Sequence, residues 1–225
     1  MDALQVRLTQ LGLGASRDRG FVLAGGYAVE ANGFLRRISD DVDLFTDQAD
    51  PHGFAVAVTA VEQAYQEDGL EVRAERMAEM FARLHVTDEY GRAAKVEMGY
   101  DWRARPPVVL DLGPVLHPDD AVAGKVVTVF TRAAPRDYID VTAALASGRY
   151  AGHELLTLAE ERDRGFERTM FAQALLAVDR FDDAQFSPYG LDAEEIAVMR
   201  ATLQVWADEI NGSDPRQRDR GFRRT

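Results

Sequence analysis

The chain has 225 residues, 46% of them hydrophobic and 28% charged, with a formal net charge of −12 at pH 7 and no cysteine. That apolar content suits one large domain or two small lobes and excludes a disordered chain, and the missing thiols exclude disulfides and cysteine-based zinc or redox chemistry. The acidic balance argues against a broad polyanion-binding face, because nonspecific nucleic-acid affinity comes mainly from neutralised phosphates, so any RNA contact must be local.

In chain order, Asp2 to Leu11 reads as a short helix. Phe21 to Ala24 is a short apolar strand that runs into Gly25-Gly26, and Tyr27 to Asn32 forms one or two helical turns before Gly33 stops them. Asp41 to Thr46 alternates as a strand, and Asp50-Pro51 caps a helix that continues through Glu67. Leu70 to Met77, Met80 to Thr87, Ala94 to Tyr100 and Val108 to Leu112 read as strands, with Glu89-Tyr90-Gly91-Arg92 turning between the middle two. From Asp119 onward the pattern is helical: Pro135 to Ser147, Gly152 to Arg180, and Asp192 to Asn211, where Asp192 and Glu195 resemble a capping box and Gly212 ends the run.

The expected fold class is therefore α+β, a mixed twisted sheet with helices on one face followed by a helical C-terminal lobe. Residues 1–116 form the α/β lobe, 117–212 a helical lobe completing a cleft, and 213–225 an Arg-rich tail expected to be flexible. The N-terminus lacks a basic segment followed by an apolar core, and no apolar run approaches a membrane span, so a soluble cytoplasmic protein with no membrane partner is expected. His52, His85, His117 and His153 are scattered without ligand spacing and are expected to be structural or surface residues.

The chemistry concentrates between Phe21 and Phe45. On a strand, Asp41 and Asp43 project to the same side, roughly 6 to 7 Å apart along the backbone, while Val42 and Leu44 point into a core. Carboxylate oxygens suit Mg²⁺ or Mn²⁺, and adjacent aspartates can serve a phosphoryl-transfer site. Glycines at a strand-to-helix junction let backbone N–H groups approach a phosphate with no Cβ in the way. Alone, either pattern also describes an ordinary turn or a solvated strand edge; Gly25-Gly26 followed by Arg36, Arg37, Ser39 and then the aspartate pair is a rarer combination.

Leu23-Ala24-Gly25-Gly26-Tyr27-Ala28-Val29, then Arg37-Ile38-Ser39-Asp40-Asp41-Val42-Asp43-Leu44-Phe45, resembles the signature of the DNA polymerase β-like nucleotidyltransferases, and within them the AbiEii branch of toxins that includes the MenT enzymes. A second block is similar to that family's lysine helix and its Arg-Asp-x-x-Asp segment: Asp119-Asp120-Ala121-Val122-Ala123-Gly124-Lys125, then Arg132 and Pro135-Arg136-Asp137-Tyr138-Ile139-Asp140. The resemblance spans roughly Phe21 to Ala146. Many members of the superfamily have Gly-Ser where this chain has Gly25-Gly26, so Ser39 stands as the substitute hydroxyl for the triphosphate.

The resemblance implies a metal-dependent transfer of NMP from an NTP, CTP or UTP being the pyrimidine choices, to an acceptor hydroxyl such as the 3′ end of tRNA, with a cognate antitoxin as partner. It implies Mg²⁺ (or Mn²⁺) on Asp41 and Asp43. It also implies Gly25, Gly26, Ser39 and Lys125 on the triphosphate, with Arg37 and Asp137 in support. A third carboxylate must come from a later strand; Glu97 is favoured because Val96 and Met98 face the other way, with Asp101 and Asp111 as rivals, and it is the candidate general base. Lys125 lies near an apolar helix face of Val122, Val126, Val129 and Phe130, and Asp137 follows Pro135 near a helix start. Basic residues for an RNA end are Arg36, Arg37, Arg103 and Arg105, with Arg216, Arg218, Arg220, Arg223 and Arg224 in the tail. Two alternatives use the same residues: antibiotic modification by an aminoglycoside or lincosamide nucleotidyltransferase, and a nucleotide- or partner-binding homologue without turnover.

Overall fold

The computed structural model describes residues 1–35, 37, 39 and 41–213. The chain forms two compact units, Met1–Ala121 and Val122–Thr225.

In the first unit, helix α1 (Ala3–Ala15) opens with reciprocal bonds in which the Gln5 amide donates to the Asp2 carboxylate and the Asp2 amide to the Gln5 side chain, both 2.9 Å. It runs four residues past the expected end at Leu11. Gly12 allows this close packing, since a Cβ there would fall 2.5 Å from Leu44 Cδ1 and 2.8 Å from the Tyr65 hydroxyl. Strand β1 (Val22–Leu23), helix α2 (Gly25–Ala31), strand β2 (Asp41–Thr46) and helix α3 (Pro51–Glu67) follow. The strand expected over Phe21 to Ala24 is shorter, and α2 starts at Gly25 rather than Tyr27.

Strands β3 (Glu71–Ala78), β4 (Phe81–Thr87), β5 (Ala93–Tyr100), β6 (Val108–Leu110) and β7 (Gly113–Val115) complete a seven-stranded sheet in the order β3-β4-β5-β2-β1-β7-β6. The β2/β5 and β1/β7 pairs are parallel and the others antiparallel, so the sheet is mixed. The strand expected over Val108 to Leu112 is instead a tight hairpin whose return strand begins at Gly113, at φ +114°, a backbone conformation that favours glycine. One face is apolar: Val42, Leu44, Ala82, Leu84, Val86, Val96 and Met98 are fully buried. Helices α1 and α3 supply Leu8, Phe54, Val58, Val61 and Tyr65 to the same core. The opposite face carries the polar members of each alternating strand.

Helix α4 (Pro118–Thr131) leads into the second unit, followed by α5 (Pro135–Ala146), α6 (Gly152–Arg162), α7 (Arg168–Leu176) and α8 (Ala193–Ser213). The single helix expected over Gly152 to Arg180 is broken. Asp163 adopts an extended backbone and its carboxylate takes the Gly165 amide at 2.8 Å, after which Glu167 caps the next helix through the Met170 amide at 2.8 Å. Ala177–Arg180 is a 3₁₀ turn. The capping box of Asp192 and Glu195 forms with both bonds at 2.9 Å, but Gly212 does not stop α8, which runs on to Ser213. Phe130, Phe166, Phe171 and Trp206 stack in sequence with ring centroids 5.0 to 5.1 Å apart. Gly152 is required beside them, because a Cβ would lie 2.3 Å from the Trp206 indole nitrogen. Among the described residues, no helix is long and apolar enough to cross a membrane.

Candidate functional site

Asp41 and Asp43 sit half-buried on the polar face of β2, with Val42 and Leu44 fully buried behind them. Pairing of β1 with β2 carries the glycine turn to this spot: Val22 and Leu23 lie opposite Phe45 and Leu44, and the Ala24 amide donates to the Asp43 carbonyl at 2.8 Å. Gly25 then takes φ +60°, and a Cβ on it would fall 1.7 Å from Asp43 Oδ2. No side chain larger than hydrogen fits there. A Cβ on Gly26 would meet Ser39 Oγ at 2.8 Å and Arg37 Nη2 at 2.9 Å. The Ser39 carbonyl is fixed from behind, accepting from the Tyr27 hydroxyl at 2.7 Å and from Gln5 Nε2 at 3.1 Å. Burial, first, and the nearby Asp2 and Glu30 charges push the Tyr27 hydroxyl well above its ordinary pKa, so it stays a neutral donor. Gly25, Gly26, Arg37, Ser39 and Asp43, expected to act together, are one cluster. Arg36 lies outside the described residues.

The parallel pairing of β2 with β5 sets Asp41 beside Lys95 and Asp43 beside Glu97. Glu97 therefore shares the aspartate face. Its Oε1 accepts from Arg83 Nε at 2.8 Å and Nη2 at 2.5 Å, a pair that sequence reasoning missed because it depends on the β4/β5 register. Asp101 follows β5 by one residue; four residues from Glu97, it is about 13 Å further along the strand direction. Asp111 lies in the β6–β7 turn, with β7 and β1 between β6 and β2. Strand register thus sets Glu97, and neither rival, beside the pair. Among the described residues no three Asp, Glu or His side chains are grouped as a metal site. Glu97 is paired with Arg83. The donor chemistry itself fits a hard divalent cation, being all carboxylate oxygen, and the missing Cβ of Gly25 lets the Asp43 carboxylate lie against the glycine turn.

The second unit holds the other expected residues. Lys125, 9% exposed on α4, places Nζ 2.8 Å from Asp140 Oδ2. Arg132 grips Asp137 with two bonds, Nε to Oδ2 at 2.9 Å and Nη2 to Oδ1 at 2.8 Å, and the Ala134 amide adds a third at 3.1 Å. Burial opposes ionisation of Asp137, but the Arg132 guanidinium, the Lys125 charge and the Ala134 amide outweigh it and hold the carboxyl below the usual carboxylate range. Asp140 was not among the expected site residues; its signal was the three-residue spacing from Asp137, which puts both acids on one helix face.

Two residues expected to contact RNA, Arg103 and Arg105, have acidic neighbours within the first unit. Arg103 is tied to the Gly20 carbonyl at 3.2 Å and to Asp47 at 2.6 Å, and its side chain is 10% exposed. Arg105 lies 3.5 Å from Asp119, and its amide and that of Ala104 are held by the Asp120 carboxylate at 2.9 and 2.8 Å. The tail arginines lie outside the described residues.

Residues 14–223 match the family model described as "Nucleotidyl transferase AbiEii toxin, Type IV TA system". Among solved structures, the nucleotidyltransferase toxin MenT4 of Mycobacterium tuberculosis is similar in fold, with a TM-score of 0.63 at 17% identity over 96% of this chain and 86% of that one. JHP933 from Helicobacter pylori gives a TM-score of 0.59 at 16% identity, covering 96% and 93%. The antibiotic-resistance factor ANT(2'')-Ia gives 0.50 at 18% identity, covering 73% and 94%. No curated protein sequence matches the chain.

Proposed function

The chain belongs to the AbiEii nucleotidyltransferase toxin family and is a nucleotidyltransferase; from that premise we infer that it moves an NMP, pyrimidine by preference, from an NTP to the 3′ hydroxyl of tRNA, and that a cognate antitoxin restrains it. The observation that carries the reading is the packing of the Asp43 carboxylate against Gly25, with Ser39 and Arg37 against Gly26. It brings a carboxylate, a hydroxyl and a guanidinium together at one glycine turn, the donor types that a metal-bound triphosphate needs.

In this reading the triphosphate lies along Gly25 and Gly26, Ser39 Oγ donates to a phosphate oxygen, and Arg37 supplies positive charge. Asp41 and Asp43, with Glu97 beside them on the same sheet face, would hold Mg²⁺, which would supply neutralisation of phosphate charge. The acceptor oxygen forms its bond to the α-phosphorus as the bond to the bridging oxygen breaks, and pyrophosphate leaves. Glu97 takes the acceptor proton. Asp137 acts in support by fixing Arg132 at the start of α5.

Incubating the protein with each labelled NTP, Mg²⁺ and total RNA tests this directly. A labelled tRNA band that depends on Asp41 is the expected result. Labelling of an aminoglycoside or lincosamide with tRNA untouched would replace the toxin reading with antibiotic modification, and no transfer from any NTP would leave only nucleotide binding.

A further inference from the structure

The polar face of the sheet does not end at Glu97. Strand register lines its residues up in rows across four strands. One row is Arg73 on β3, His85 on β4, Lys95 on β5 and Asp41 on β2; the next is Arg76, Arg83, Glu97 and Asp43. In a chain of net charge −12, these two rows hold Arg73, Arg76, Arg83 and Lys95, with His85, against Glu97 as the acid on the outer three strands.

Arg73 and Arg76 are an odd number of residues apart, so on a regular strand they would face opposite ways. The register shift between Ala74 and Arg76 brings both to one face, opposite His85 and Arg83. A bulge that re-aims a side chain in this way is a specific feature of a strand and not a by-product of composition. Arg73 is 69% exposed and touches Glu75, the bulge residue, at 3.1 Å. Arg76 and Lys95 are exposed, and no carboxylate among the described residues pairs with either. Edge-strand charge also blunts sheet-to-sheet association. That role needs no particular face, and it does not account for Lys95 on the interior strand β5.

The third row adds an aromatic floor. Phe45 and Phe81 are half-buried on either side of Gly99, where a Cβ would sit 3.4 Å from the Phe45 ring and 3.8 Å from Phe81. Arg76 and Arg83 both lie over Phe81, at 5.3 and 5.9 Å from its centroid. Cations beside aromatic rings are how single-stranded nucleic acid is held, by charge on the phosphates and stacking against the bases.

We propose that the Arg73, Arg76 and Lys95 rows, with the Phe45–Phe81 floor, form the track along which a single-stranded RNA 3′ end approaches Asp41 and Asp43. The proposal rests on the nucleotidyl-transfer reading of that aspartate pair and specifies where the acceptor lies. From β3 to β2 is three strand spacings, about 14 Å, a short contact that an acidic protein can offer without a basic surface elsewhere.

The test uses a labelled RNA of about 12 nucleotides with a free 3′ hydroxyl, within the usual single-strand site size. Anisotropy titrations over a salt series compare the full-length protein with the Arg73→Gln/Arg76→Gln/Lys95→Gln variant and with Arg17→Gln/Arg164→Gln, two exposed arginines elsewhere. The track predicts a loss of roughly 10- to 100-fold in RNA affinity and a salt slope shallower by about 2 for the triple variant alone. Calorimetric NTP affinity and the thermal midpoint should be unchanged, which excludes unfolding. Wild-type RNA affinity and slope in the triple variant, while wild type still labels RNA, would overturn the track and leave the function standing. Failure of wild type to label or bind any RNA would overturn the function as well. If poly-L-glutamate bound as tightly as RNA and lost affinity equally, the face would read acidic protein and the RNA assignment would be wrong.

Discussion

Two aspartate pairs carry the family resemblance, and they are built in opposite ways. Asp41 and Asp43 are two residues apart on a strand, half-buried, beside a glycine turn whose missing Cβ keeps side-chain bulk away from Asp43. Asp137 and Asp140 are three apart on a helix, 0% and 1% exposed, and held by Arg132 and Lys125. Equal charge therefore does different work. A carboxylate at a solvent-facing sheet surface can exchange its neighbours for a ligand, whereas a fully buried carboxylate gripped by a guanidinium costs stability when its partner is removed. Changes at the first pair should remove activity and spare the fold; changes at the second should reach the fold as well.

The largest effect is expected at the strand pair. Asp41→Ala or Asp43→Ala should lower nucleotide transfer by several orders of magnitude, and expression of the Asp41→Ala protein without antitoxin should no longer slow growth. Thermal midpoints should stay within a few degrees of wild type, because neither side chain supports the core. Transfer at the wild-type rate by either variant would end the assignment of these acids to catalysis.

Gly25→Ala should approach the same loss. Its Cβ would overlap the Asp43 carboxylate, and the residue would also be strained at φ +60°, by roughly 1 kcal/mol. Gly33→Ala, at φ +78° with open space around it, carries the strain without the overlap. Comparing the two separates backbone strain from displacement of Asp43: similar activities would mean that the contact with Asp43 is incidental.

Much of this contrast was legible in the sequence. Asp41–Thr46 alternates strictly, and Asp50-Pro51 marks the start of α3, so both elements match their expected bounds. The glycine turn and the Asp-x-Asp strand were each legible as motifs, but the β1/β2 register that sets Gly25 against Asp43 came only with the structure. What could not be read were partners fixed by register or by distant chain. Arg83 reaches Glu97 across a hairpin, Lys125 finds Asp140 fifteen residues on, and Arg103 is held by Gly20 and Asp47 from earlier loops. The break at Asp163 turns on one side chain bonding to an amide two residues away, a local choice that competes with helix at little difference in energy.

At the helical pair, Lys125→Ala should weaken NTP use strongly while leaving Asp140 buried without its cation, at about 3 to 5 kcal/mol of stability. The two consequences can be separated. Lys125→Met with Asp140→Asn removes both charges and should recover most of the thermal midpoint, but not the NTP affinity if Lys125 binds triphosphate. Recovery of both would make Lys125 purely structural. Lys95→Ala should leave NTP affinity near wild type, and equal effects of Lys95→Ala and Lys125→Ala on NTP would mean that Lys125 has no special part in binding it.

A smaller effect should separate the candidates for the third carboxylate. Glu97→Ala should abolish Mn²⁺ binding and Asp101→Ala should not, while Arg83→Ala, which frees Glu97, should tighten it by a few-fold. Weaker Mn²⁺ binding in Arg83→Ala would mean that the arginine positions Glu97 for the ion and does not compete with it.

The smallest effect concerns pH. Asp137 has a folded pKa below its unfolded value, so its contribution to stability is fully present above the ordinary carboxylate range and is lost as pH falls through the lowered folded value. Melting curves taken from about pH 6 down to about pH 3 should therefore fall more steeply for wild type than for Asp137→Asn, which cannot bind the proton. The variant should start from a lower midpoint, since Arg132 then faces an amide, and the two curves should converge at the acid end. Parallel curves would mean that Arg132 holds Asp137 as tightly when protonated as when ionised, and that the charge of this pair, unlike its packing, adds nothing to the fold.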